Sequence, residues 1–182
     1  MSAEQPSKVD AYLDVIEKHV IVPIRSTSLS ESCIATLLLV FASIDGLGRL
    51  THPKIRAKVE ERFELFLITY FGGLYAKHAK QIYDLRCELV HNALNVSSFM
   101  SKTWMGEIHH LTRTSPQGYL FVSSSTLFAD FCTAIEMLKG KMLTDAALQA
   151  QAEQRLKWVV DDPSSYWRPF STPPGPVEFV ST

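Results

Sequence analysis

The sequence predicts a mainly α protein, an up-and-down bundle of five to six helices with one short β-hairpin and an irregular tail. Three observations carry this. Long stretches free of proline repeat apolar residues at spacings of three and four, the period of a helix with one buried face. Prolines fall between those stretches rather than inside them, and Gly72, Gly73 and Gly140 stand at their ends. Only one short region reads as two strand-like runs around a turn.

Each element has its own signal. Ser7 to His19 carries Leu13 and Ile16, with Val20 continuing the spacing, and Pro23 is expected to close it, so it reads as an amphipathic cover helix. Ser28 and Glu31 form a capping box, and the run from Cys33 to Leu47 is apolar almost all round, as a central helix buried on most sides should be. Pro53 suits the first turn of the next helix, whose stripe is Val59, Phe63, Phe66, Leu67 and Tyr70. Gly72 and Gly73 then break the chain.

The helix from Leu74 to Val96 shows Ile82, Leu85, Leu89, Ala93 and Val96 on one stripe. Tyr83, Cys87, Val90 and Leu94 widen its apolar arc to about 200°. Glu107 to Leu111 and Tyr119 to Ser123 flank Ser115, Pro116, Gln117 and Gly118, the pattern of a hairpin. Thr126 to Leu138 returns to helical spacing and should stop at Gly140. A last helix, Asp145 to about Val159, is rich in Ala and Gln and should pack on the outside. The expected organisation is a single domain over residues 1–160 and a tail over 161–182. In that tail Tyr166, Trp167, Phe170 and Phe179 alternate with prolines, so it should pack on the domain or on a partner.

Composition narrows the function. With 182 residues and 46% hydrophobic content the chain can bury one good core. Eighteen basic and nineteen acidic residues give a net charge of -1, which argues against broad nonspecific nucleic-acid binding but leaves room for a local patch at Lys54, Arg56, Lys58, Lys77 and Lys80. The three cysteines lie in apolar helical patterns and read as small buried hydrophobes of a reducing, cytoplasmic environment. The polar start of the chain does not read as a signal peptide, and Ile34 to Ile44 is too short an apolar run to span a bilayer, so no membrane partner is expected.

One stretch looks like chemistry. Arg86 falls near the middle of its helix's apolar arc with Ile82 and Val90 one turn away, so a buried guanidinium there needs a partner from elsewhere in the fold. Asp45 interrupts the apolar central helix within about 20° of both Ile34 and Leu38. The two charges pushed inward predict an Asp45–Arg86 ion pair, either a lock on helix register or a device that aims the guanidinium. Glu88, His91 and Asn92 cluster on the polar side. His91 could exchange protons near neutrality, and Arg86 could hold phosphate oxygens.

The pattern Arg86, four residues, His91, then Asn92, following a long apolar helix that ends Ser43, Ile44, Asp45, resembles the HEPN superfamily over roughly residues 28–139. That resemblance implies a small helical bundle, and in many members a metal-independent endoribonuclease whose Arg and His meet at a dimer interface. It assigns Arg86 to the charge developing on the scissile phosphate and His91 to the ribose 2′-hydroxyl or the leaving oxygen. The position after the arginine is commonly polar in active members, often Asn, Asp or His; here it is Cys87. Because Arg86 and His91 lie about 140° apart on an ideal helix, two copies facing each other would unite them most simply.

The expected partners are a second copy of the chain, RNA, and a protein partner such as an antitoxin, in a toxin or stress and defence setting. His109, His110 and Arg113 are candidate substrate contacts on the hairpin. Two alternatives stand beside this: a catalytically inactive, HEPN-like interaction module, and a helical metal-binding protein suggested by the Glu-x-x-His spacing of Glu88 with His91 and of Glu107 with His110. The first of these lies on a polar helix face and the second in a strand, so no metal ligands and no cofactor are assigned.

Overall fold

The apolar run after residue 32 folds as the central helix of a mainly α bundle. The structure is a computed structural model that describes residues 8–25, 33–91, 99–101, 110–112 and 120–160. The Ser28–Glu31 box and the aromatic tail lie outside them. Six helical rods are present among the described residues. These are α1 (Lys8–Ile16) running on into α2 (Val22–Arg25), then α3 (Cys33–Thr51), α4 (Val59–Phe66), α5 (Gly73–His91), α6 (Ser124–Thr144) and α7 (Ala146–Val160). α3 packs against α4, α5, α6 and α7.

The inner face of α3 is Leu37, Val40, Phe41, Ile44, Leu47 and Leu50, while Ile34, Leu38 and Leu39 are only half-buried. Asp45 therefore sits on a flank of the buried arc. Aromatic edges tie the neighbours to this face. Phe63 of α4 stands between Phe41 of α3 (centroids 5.8 Å apart) and Tyr83 of α5 (5.6 Å), both near T-shaped. Such pairs add about 0.5–1.5 kcal/mol each beyond burial.

α3 runs past the expected Leu47 to Thr51, through Gly46 and Gly48. Both glycines are places of close approach. A Cβ on Gly48 would lie 2.6 Å from the main-chain oxygen of Arg62, whereas one on Gly46 would meet the end of the Tyr12 side chain. Gly48→Ala is expected to destabilise the protein by about 1–2 kcal/mol, overpacking outweighing the gain in helix propensity. Gly46→Ala should be close to neutral, because a phenol can swing aside and a main chain cannot. Unfolding midpoints in denaturant read the difference.

By length and composition α3 could cross a membrane, longer than the short apolar run expected, yet half of its apolar window is buried inside the bundle. Its end is set by Pro53, which disfavours helical backbone at the residue before it. His52 leaves the helix and its Nδ1 accepts from the Lys54 amide at 3.0 Å. Pro53 thus closes α3 instead of opening the next helix, which begins only at Val59 after an extended Lys58. The carbonyls left at the end of α3 are gathered by α7. Arg155 Nη1 donates to Arg49 (2.7 Å), Leu50 (3.2 Å) and His52, and Gln151 Nε2 to Leu50 (3.0 Å) and His52 (3.2 Å). A cation and an amide on these orphan acceptors complete the helix terminus.

Two expected helix stops did not act as stops. Pro23 sits inside the first rod, after a π-helical turn at Glu17–Ile21 that shifts the hydrogen-bond register, the Val22 amide reaching Glu17. That extra residue relieves the clash and missing donor that proline brings to regular α geometry. Gly140 lies within α6, on an exposed position, and Met142 beyond it is buried and holds the last turn in place. Asp145 then caps α7, its Oδ1 accepting from the Ala147 (3.1 Å) and Leu148 (2.9 Å) amides.

The break at Gly72–Gly73 is as expected. α4 ends in a second π-helical turn (Leu67–Phe71), and both glycines take positive φ, +62° and +48°, which only glycine adopts without strain. The β element differs. Among the described residues β1 (Phe99–Ser101) pairs with β2 (Phe121–Ser123) in parallel, Phe99 opposite Phe121. The second arm of the expected hairpin is thus a strand, but its ladder partner is the earlier segment; residues 107–109 and 113–119 lie outside the described residues. β2 leads straight into α6, with Ser123 Oγ accepting the Thr126 amide as N-cap.

Candidate functional site

Arg86 projects from α5 onto the flank of α3, where the two inward charges meet. Its Nε donates to Asp45 Oδ2 at 3.0 Å and its Nη2 donates to the same oxygen. The side chains are 19% and 16% exposed, so the pair is largely withdrawn from water. Both donors converge on one oxygen, and Asp45 Oδ1 is buried without a hydrogen-bond partner. Burial works against the guanidinium charge, but the bonds to Asp45 and its negative charge outweigh it and raise the Arg86 pKa above its ordinary value.

Cys87 is half-buried beside this pair. Its hydrogen bond, ahead of burial, pushes the Tyr83 phenol pKa upward. Glu88 is half-buried. Val90, expected in the apolar arc, is 49% exposed, so the buried stripe of α5 is the narrower line Tyr75, Ala79, Ile82, Leu85 and Leu89.

His91 closes α5 and is exposed. Within one copy of the chain no hydrogen bond joins it to Arg86 among the described residues, in keeping with the wide angle between them. Asn92, His109 and Arg113 lie outside the described residues. Of the expected basic patch, Lys54, Arg56, Lys58, Lys77 and Lys80 are all exposed. Lys80, though, is held by Asp84 (2.7 Å) and Glu60 (2.8 Å), and those hydrogen bonds raise its pKa.

His110 is not the exposed hairpin contact that the sequence suggested. It is 7% exposed and belongs to a second polar cluster, one that sequence reasoning missed. The Ser123 amide donates to its Nδ1 at 3.0 Å, which leaves the proton of the neutral ring on Nε2. That nitrogen lies 2.8 Å from the Tyr75 oxygen, and the Tyr75 hydroxyl donates to Asp130 Oδ2 at 2.6 Å. The chain of bonds has one sense, from amide to imidazole to phenol to carboxylate.

Burial lowers the His110 pKa to about 4, although Asp130 pulls the other way, and burial with the Asp130 bond raises that of Tyr75. Leu111, next in sequence, has φ +53°, held by its amide bond to the Phe121 carbonyl (2.9 Å) and by a buried side chain. Backbone of that kind in a leucine costs about 1–2 kcal/mol and persists only where the surroundings fix it.

Among the described residues no group of three or more His, Cys, Asp or Glu side chains could hold a metal ion. The three cysteines are free and half-buried. The fold and these clusters define a mainly α helical bundle with a part-buried Asp–Arg pair at the crossing of α3 and α5. Comparison with family models, curated proteins and solved structures finds no match.

Proposed function

We propose that the chain is a HEPN-like, cytoplasmic RNA domain that works as a homodimer, either binding RNA or cleaving it without a metal ion. The observation that carries the reading is the Asp45–Arg86 pair: a charge-holding contact on the helix that ends in exposed His91. The carboxylate holds the guanidinium in one direction, and the second copy supplies the geometry that one helix cannot, since Arg86 and His91 diverge by about 140°. In cleavage His91 moves the proton of the 2′-hydroxyl or of the leaving oxygen, and Arg86 offsets the phosphate charge.

A second reading rests on an equally specific observation. Arg86 is already engaged by Asp45, which suits an inactive interaction module whose arginine only fixes the crossing of α3 and α5. Incubating the purified chain with total RNA in chelator separates the two. Under the RNA reading, His91→Ala lowers cleavage about 100-fold or more with the circular dichroism of the fold unchanged. Equal cleavage by both proteins, or none by the wild type together with no RNA binding, leaves the interaction module as the better account.

A further inference from the structure

The cavity at the Gly72–Gly73 turn plays no part in the RNA reading. It is an open cleft of about 410 Å³, within the span of small-molecule sites. Phe71 and Tyr75, with ring centroids 4.7 Å apart, line it, as do Asp130 and the half-exposed Leu74 and Met137.

Three features define what would fit. The Asp130 carboxylate is partly buried and forms no ion pair among the described residues; ionised, it offers acceptors only, so its complement carries N–H donors and positive charge. Its position is fixed by the Tyr75 hydroxyl, which is fixed in turn by His110 and the Ser123 amide. The neighbouring walls are aromatic, and their faces attract cations. One of them does so already, since Lys141 Nζ lies 4.8 Å from the ring centre of Tyr70, a residue of the same cavity. A flat cation suits this combination better than a compact ammonium, because it stacks on a ring while presenting two parallel donors to a carboxylate.

We propose that this cavity binds a planar organic cation, a guanidinium or amidinium group, held by Asp130 and packed against Phe71 and Tyr75. The ligand is a free small molecule that carries such a group.

Titration of the full chain with benzamidinium, followed by calorimetry, tests this. Saturable one-to-one binding is expected, weakened at least 10-fold in Asp130→Asn, the loss of one charge-assisted contact. That variant retains an oxygen for Tyr75, so unchanged thermal unfolding certifies its fold. Choline, a cation with no N–H donor, should bind at least 10-fold more weakly than benzamidinium. No binding by wild type, or equal binding by wild type and Asp130→Asn, overturns the proposal.

Discussion

Arg86→Ala should lower the stability of the folded chain by about 2–4 kcal/mol, somewhat below the cost of breaking a fully buried pair because both side chains keep some contact with water. For a chain of this size that is a fall of roughly 5–15 °C in the thermal midpoint. The loss comes less from the attraction removed than from the carboxylate left behind. Asp45 already has one buried oxygen without a partner, and the substitution strips the other. Removing both charges together, as in Asp45→Leu with Arg86→Met, should be less damaging than either single change, since no charge then stays behind in an apolar crossing. Thermal unfolding of the four proteins forms a double-mutant cycle. Additive losses would show that the two groups are not coupled and that the crossing does not depend on them.

Acid should weaken the fold through His110. The folded protein keeps this ring neutral down to about pH 4, while in the unfolded chain it takes up a proton near 6.5. Between those values the unfolded state binds more protons, so stability is fully present above pH 6.5 and declines as pH falls towards 4. The gap corresponds to roughly 3 kcal/mol if burial is the whole cause. His110→Gln can still donate to Tyr75 but cannot titrate, so its stability should be flatter across this window; a slope equal to that of wild type would assign the acid response elsewhere. Tyr75→Phe acts on the same cluster at every pH. It leaves the His110 Nε2 proton without its acceptor and the Asp130 oxygen without its donor, at a cost of about 2–4 kcal/mol.

The contrast between these two clusters shows what a single sequence reveals. Asp45 and Arg86 were legible because each is a charge inside an apolar helical pattern, and two such anomalies on adjoining long helices imply each other. The helical bundle was legible for the same reason, period and burial agreeing over long segments. His110 was not. It lies in a short strand-like run beside a turn signal, where an exposed reading is natural, and its partner Tyr75 sits 35 positions away on a helix face that looks ordinary. Asp130 lies off the buried stripe of its helix, and nothing next to it in sequence marks it.

Pro23 and Gly140 were misread for a different reason. Their local preference to end a helix is worth at most a few kcal/mol, and a π-helical turn in one case and the burial of Met142 in the other overrode it.

The clasp that Arg155 makes on the end of α3 has an uneven exposure to mutation. Its acceptors are main-chain oxygens, present whatever residues occupy positions 49, 50 and 52. A change of side chain there does not of itself unfasten it, whereas one substitution at 155 frees the Arg49 carbonyl and leaves those of Leu50 and His52 to Gln151 alone. A contact of this kind leaves no matched pair of residues for selection to hold in step, and its imprint on the sequence is confined to one helix, in Gln151 and Arg155.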